Sequence, residues 1–138
     1  MTKDVKDIFT IIANQLLSNP TINQLTKKAT GGNRIKIYDY PEGADHSNTF
    51  ILIKPVGPPV TGVSGSDIDL QIQFTIQIAV ESCDRKEVKL LQHEIKAEMK
   101  KLNYAQMADG LDEYFEATGH FVDARRYRGN SALYDTNY

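Results

Sequence analysis

Residues Asp69 to Glu81 alternate strictly between apolar and polar side chains, and this run constrains the fold more than any other part of the chain. Successive side chains of a β-strand point to opposite faces, so the run predicts a strand of about 13 residues, near 40 Å long. One face must be covered, and its apolar positions are Leu70, Ile72, Phe74, Ile76, Ile78 and Val80. The other face is rich in uncharged amides, which suit solvent and a polar neighbour equally well. A strand of this length also predicts that part of it projects in a hairpin with the preceding strand.

Two amphipathic helices are predicted on either side of the strands. The first spans Asp4 to Ser18, where apolar residues recur every three or four positions and Asp4 is a suitable N-cap. The second starts after Asp84, with Glu87 three residues later as the partner in a capping box. Residues 21–28 are expected to add a short turn of helix between the first helix and the strands.

Four further strands are predicted, at residues 34–38, 49–54, 112–117 and 120–128. The stretch Pro55–Asp67 is rich in Pro, Gly and Ser, so we predict a long loop there. The order α-β-β-β-α-β-β indicates an α+β fold: an antiparallel sheet of about five strands with two main helices packed on one face.

The chain of 138 residues is long enough for one core, and we expect a single α+β domain over residues 1–129. Residues 130–138 show little periodicity and are interpreted as a C-terminal tail, or as an arm that orders against a neighbour. No apolar run reaches the roughly 18 residues of a membrane span, and the N-terminus lacks a signal-peptide pattern. These features predict a soluble protein made in the cytosol, without a membrane partner.

The charges nearly balance, with 16 basic and 18 acidic residues, which argues against a dedicated nucleic-acid binder. Their distribution is uneven. Residues 1–38 carry six basic and two acidic side chains, whereas residues 39–81 carry one basic and six acidic ones. Such a subunit can meet unlike neighbours on different faces, although most surface charge serves only to keep a protein in solution.

No catalytic or ligand-binding motif is present in the sequence. The histidines have no partner at metal-ligand spacing, and the single cysteine, Cys83, has no histidine base near it in sequence. The glycines lack the pattern of a phosphate-binding loop. The carboxylates of Asp109, Asp112, Glu113 and Glu116 lack the order of a calcium loop. We therefore predict no enzyme activity, no metal and no cofactor.

The run Arg125-Arg126-Tyr127-Arg128 is the most distinctive local cluster. On a strand, Arg126 and Arg128 share one face, while Arg125 and Tyr127 share the other. Arginine and tyrosine are enriched at protein interfaces, and arginine also contacts nucleic-acid backbones. A subunit interface, ordinary surface ion pairs and nucleic-acid binding all remain possible at this cluster. The candidate interface residues of the chain are Val56, Val60, Val63, Gln71, Gln73, Gln77, Arg125, Arg126, Tyr127 and Arg128.

Several stretches together resemble a known family. They are Glu81-Ser82-Cys83-Asp84-Arg85, Leu102-Asn103-Tyr104, Asp112-Glu113-Tyr114-Phe115 and Ala124-Arg125-Arg126-Tyr127-Arg128-Gly129. The chain is similar to the phage and prophage tail terminator, or tail-completion, proteins of long-tailed bacteriophages. The resemblance spans most of the chain and is strongest after Glu81.

The resemblance implies a structural virion protein that assembles into a hexameric ring in the host bacterial cytoplasm. Such a ring sits on the head-proximal end of the tail tube, terminates tail growth and forms the surface for head–tail joining. Its implied partners are further copies of itself, the tail tube protein and a head–tail connector or head-completion protein, with DNA only as passing cargo. The alternatives are a head-completion or minor tail protein of the same gene cluster, and a small nucleic-acid-binding module.

Overall fold

The computed structural model describes residues 7–39, 47–58, 60–65 and 68–132. Within these ranges the chain forms an α+β fold of three helices and one sheet of six strands. In chain order the elements are α1 (Ile8–Leu17), α2 (Pro20–Thr26), β1 (Ile35–Ile37), β2 (Phe50–Pro55), β3 (Val60–Gly65), β4 (Ile68–Ser82), α3 (Arg85–Lys101), β5 (Ala105–Phe115) and β6 (His120–Ala132).

The long strand predicted from the alternating pattern is confirmed as β4, which is the centre of the sheet. The strands follow the order β1-β2-β4-β6-β5, and β3 also pairs with β4. On one side, β4 pairs with β2 along Ile76–Glu81 and with β3 along Ile68–Gln73. On its other side β6 pairs with it from Gln71 to Ser82. The length of β4 therefore reflects two successive antiparallel partners on one side. Its extension beyond β2 pairs with β3, and not with the strand predicted at residues 49–54.

Two predictions about the sheet are wrong. The sheet is mixed and not purely antiparallel, because β1 runs parallel to β2. Alternation shows which residues share a face, but it carries no information on the direction of the neighbouring strand. In addition, β3 lies inside the stretch 55–67 that was predicted to be a loop. Its pairing with β4 is made by the backbone, which the Gly- and Ser-rich sequence can still supply.

The helix starts follow from capping side chains. Asp84 is confirmed as the N-cap of α3, since its side chain accepts a 3.0 Å hydrogen bond from the Lys86 backbone N–H. In α1 the cap is Asp7, which accepts from the Phe9 N–H, and the predicted cap Asp4 lies outside the described residues. Asn19 caps α2, whose first residue is Pro20.

The core lies between α3 and the even-numbered side chains of β4 from Phe74 to Val80. Ile76 and Ile78 of β4 and Leu91 and Ile95 of α3 are almost fully buried, together with Ile12 of α1. The short α2 packs mainly against α1 and α3. The expected two helices on one face are thus only partly right, because the described chain has three helices and they do not all pack on one face of the sheet.

The last two strands are longer than predicted. β5 begins at Ala105, before the predicted start at residue 112, and has a register shift between Gln106 and Gly110. β6 continues to Ala132, so residues 130–132 of the predicted tail pair with β4, and residues 133–138 lie outside the described part.

Candidate functional site

The face of the sheet opposite α3, here called the open face, carries most of the candidate residues. From Gln73 to Glu81 the odd-numbered β4 side chains point to it, and Gln73, Thr75, Gln77, Ala79 and Glu81 are each half-buried. The open face also includes the residues that lie opposite these positions in the neighbouring strands.

The arginine cluster divides between the two faces, as strand alternation predicts. Arg126 lies on the open face, where its Nε donates a 3.3 Å hydrogen bond to Gln77 Oε1. Arg128 is exposed and lies opposite Thr75. Arg125 turns to the α3 side and donates to both carboxylate oxygens of Asp123.

Tyr127 points into the core and is only 1% exposed. Burial raises its pKa to about 12, with Arg125 opposing and Asp123 adding to this shift. Its hydroxyl finds no hydrogen-bond partner within the described residues. The ring is therefore part of the hydrophobic core, and of the cluster only the arginines are left for contact with a partner.

The predicted valines lie near the amide side chains of β4. Val60 is 55% exposed and lies opposite Gln73, and Val63 lies opposite Gln71. Val56, just beyond β2, is half-buried and its N–H bonds the Thr75 carbonyl at 2.9 Å. The side chains of Val63 and Gln71 are outside the described part. The structure thus brings the valine, glutamine and arginine candidates together along β4.

The two ends of the sheet carry opposite charge. Residues 20–38, which contain β1, have basic side chains and no acidic one, whereas residues 105–119, which contain β5, have acidic side chains and no basic one. Among the described strands, β1 pairs only with β2 and β5 only with β6. The basic residues are Lys27, Lys28, Arg34 and Lys36, and the acidic residues are Asp109, Asp112, Glu113 and Glu116.

Some of these charges are already engaged within the chain. Lys89 of α3 donates to Asp112 and, at 2.7 Å, to Asp123. The hydrogen bond from Lys89 lowers the pKa of Asp112, against the smaller opposing effect of burial. Arg34 is buried and bonds backbone carbonyls. The remaining charged side chains at both edges form no ion pair with any described residue.

The β5 edge is unusually exposed for a strand of this length. Every residue of β5 except Met107 is exposed, including Leu111 at 39%, Tyr114 at 51% and Phe115 at 40%. An exposed edge strand offers unpaired backbone groups to another chain. Its acidic side chains and its large apolar ones therefore lie where a neighbouring subunit would meet them.

Two of the concave regions formed by the described residues are an open cleft and a smaller hollow. The cleft, of about 760 Å³, lies beside the basic edge and is lined by Leu17, Asn23, Lys27 and Lys28 among others. The hollow, of about 240 Å³, is apolar and lies between α1 and the ends of β2 and β4.

In the described ranges, His, Cys, Asp and Glu side chains nowhere gather in a group of three able to hold a metal ion. Among the helices that the structure describes, none is long and apolar enough to span a membrane.

The opposite charge of the β1 and β5 edges was not predicted from the sequence. The distribution of charge along the chain does not show which segments lie at the two ends of a sheet. The signal was present in the absence of acidic residues from 20–38 and of basic residues from 105–119. Comparisons with known proteins do not add an assignment: no family model matches the sequence, and no curated protein is significantly similar to it.

Proposed function

We propose that this chain is the subunit of a ring that closes the head-proximal end of a bacteriophage tail tube, as a tail terminator does. The observation that carries the proposal is the opposite charge of the two ends of one sheet, with β5 at one end and β1 at the other. Further support comes from the resemblance of the sequence to tail terminator proteins.

Unlike edges favour a ring because of how identical subunits can repeat. When one patch of a subunit binds a different patch of the next, the contact is head-to-tail, and it generates a ring if the rotation closes. Here Asp109 and Glu116 at the β5 edge would face Lys27 and Lys28 at the β1 edge of the next subunit. The number six is the one that the family resemblance implies.

The remaining surfaces are assigned to the tube and the connector. β3 and the adjoining part of β4 extend beyond the end of β2, and the exposed Val60 lies in this extension. We assign this part of the chain to contact with the tail tube protein or with the head–tail connector. In such a ring DNA would pass through the central channel only as cargo. In this function the protein resides in the virion tail, without enzyme activity.

Native mass over a range of protein concentrations tests the ring. We expect a species near six times 15.5 kDa, visible as rings by electron microscopy. The double variant Asp109→Lys/Glu116→Lys should abolish that species, and adding Lys27→Glu/Lys28→Glu should restore it. The control variant Lys96→Glu/Lys100→Glu reverses two exposed charges on α3 that take no part in the proposed edge contact, and it should assemble normally.

Two outcomes would contradict the proposal. One is a ring that the edge variants leave intact, which would remove the role of the opposed edges. The other is a monomer that neither caps tail tubes nor limits their length when it is mixed with tube protein. Salt-sensitive DNA binding by that monomer would instead favour the nucleic-acid-binding alternative.

A further inference from the structure

The open face carries a second pattern, which extends over β2, β4, β6 and the edge strand β5. Its middle row takes one residue from each of four neighbouring strands, in the order Leu52, Ala79, Ala124 and Leu111. The row has two small residues at its centre, of which Ala124 is only 4% exposed, and a leucine at each end. We propose that this face binds a second copy of the chain, so that two sheets pack face to face with their strands antiparallel.

Charged residues lie on both sides of this middle row. Two positions along the strands in one direction are Lys54 and Arg126, which lie opposite Gln77 on either side of β4. Two positions in the other direction are Glu81 and Glu113, which both lie opposite Val122. Each row is about 6.6 Å from the middle row at a rise of 3.3 Å per residue. The open face therefore runs from basic, through apolar, to acidic.

Two face-to-face packings keep the strands of the two copies aligned, with the twofold axis either along the middle row or along the strands. The order of charges is complementary in only one of them. In the complementary packing, the twofold axis runs along the middle row. Each middle-row residue then faces the same residue of the partner, and the basic row of each copy lies over the acidic row of the other. Arg126 would then lie over Val122 of the second copy, between the carboxylates on the two adjacent strands. An axis along the strands would instead bring the basic rows together, which like-charge repulsion disfavours.

The same contacts cannot form within one chain. The basic and acidic rows of one copy are about 13 Å apart, beyond the reach of a direct ion pair. Glu81 is held in place by His120, whose Nδ1 lies 2.7 Å from its carboxylate. Arg126 is oriented by its bond to Gln77. Two of the charged groups are thus positioned on the face before a second copy arrives.

The size of the patch predicts a weak contact. Four strands spaced about 4.8 Å apart and three rows give a patch of at most roughly 20 Å by 20 Å, about 400 Å² per copy. Two of its positions, Phe50 and Ala124, are already buried, so the area available for contact is smaller. Stable specific complexes bury about 800 Å² per partner, so we expect dissociation constants in the micromolar range or weaker. The charge pairs lie at the margin of the patch, and the affinity should fall as salt is raised.

Sedimentation equilibrium between about 10 μM and 1 mM protein tests the dimer. It is measured in the wild-type chain and in the Asp109→Lys/Glu116→Lys background, where the edge contact proposed for the ring is removed. In that background we expect the mass to rise from 15.5 kDa toward twice that value. Arg126→Glu should weaken the association at least tenfold, and adding Glu113→Arg should restore most of it. Lys96→Glu, the same charge change on α3, is the matched control and should leave the association unchanged.

The dimer proposal and the ring proposal can fail separately. A constant mass of 15.5 kDa in the edge-variant background up to 1 mM would overturn the face contact and leave the ring test as it stands. Equal effects of Arg126→Glu and Lys96→Glu, or no rescue by Glu113→Arg, would also overturn it. Circular dichroism of each variant shows whether the fold is retained, and a variant that is unfolded is replaced by Arg126→Gln.

Discussion

Arg34 Nε donates a 2.7 Å hydrogen bond to the backbone oxygen of Thr49, the residue that precedes β2. Its two terminal nitrogens donate to the backbone oxygens of Leu25, at 2.9 Å, and Lys27, at 3.0 Å. One guanidinium group therefore joins the end of α2 to the start of both β1 and β2. The carbonyls at a helix C-terminus carry partial negative charge, which helps to hold this buried cation.

Arg34→Lys should destabilise the protein by about 2–4 kcal/mol, because an ammonium group cannot reach three carbonyls in the fork geometry of arginine. Chemical denaturation followed by circular dichroism measures the loss. Lys96→Ala, at an exposed position on α3, is the control and should change the free energy of unfolding by less than about 0.5 kcal/mol. A loss for Arg34→Lys as small as that of the control would show that the three hydrogen bonds contribute little.

Glu98 is expected to make the stability depend on pH in the acid range. Burial would raise the pKa of Glu98, but hydrogen bonds from Asn19, Gln15 and Lys101 outweigh that effect and lower it below its ordinary value of 4.5. The stabilisation is present above pH 4.5 and is lost as the pH falls through the lower pKa of the folded state. Glu98→Gln should lower stability at pH 7 by about 1–3 kcal/mol and flatten its decline below pH 4.5.

Unfolding free energies measured from pH 7 to pH 3 test this role of Glu98, with Glu116→Gln on the surface as the control. If Glu98→Gln keeps the wild-type slope below pH 4.5, the hydrogen bonds to Glu98 are not the source of the acid sensitivity.

Gly110 lies where β5 resumes its pairing with β6, and a Cβ atom at this position would collide with the Ala124 backbone oxygen. Gly110→Ala should therefore cost about 1–3 kcal/mol and loosen β5, because a backbone atom cannot move aside as a flexible side chain can. Hydrogen exchange should show faster exchange in residues 110–115. Gly119→Ala, where the added methyl group meets no atom but φ is 72°, is a comparison for turn strain. Unchanged protection of β5 in Gly110→Ala would contradict the close approach.

Tyr127→Phe should be neutral or stabilising by up to about 1 kcal/mol, since the buried hydroxyl has no hydrogen-bond partner within the described residues. Its folded pKa of about 12 exceeds the ordinary value of 10.0, so its contribution is complete below pH 10 and is lost as the pH rises toward 12. In Tyr127→Phe, this loss of stability between pH 10 and about pH 12 should be absent. Denaturation at pH 7, 10 and 11.5 measures both effects, and a clear loss of stability at pH 7 would indicate a partner for the hydroxyl.

The central strands could be predicted from sequence because their pattern depends on one variable, burial on one face. β4 was predicted for this reason, and so was the division of Arg125 and Arg126 between the two faces. The direction of β1 could not be predicted, since a three-residue strand fits either orientation of its neighbour. β3 was missed because backbone pairing holds it, without a repeating apolar pattern.

The candidate surfaces depend on long-range pairing and were harder to predict. Lys89 and Asp112 are 23 positions apart, and nothing in either local sequence indicates that they meet. The row of Leu52, Ala79, Ala124 and Leu111 is likewise visible only when the register of four strands is known. The periodicity of apolar residues in one segment predicts which side chains are buried. The candidate surfaces depend instead on how distant strands pair with one another.

Among the strands that the structure describes, β4 is hydrogen-bonded to three others, while β1 and β5 are each attached through a single neighbour. Substitutions at these two edges, other than at Arg34 and Gly110, therefore disturb few of the contacts on which folding depends. During evolution, such a protein can accumulate changes in its recognition surfaces while the buried strands stay under separate selection for stability. Related chains should accordingly diverge fastest in β5 and around β1, and slowest in β4.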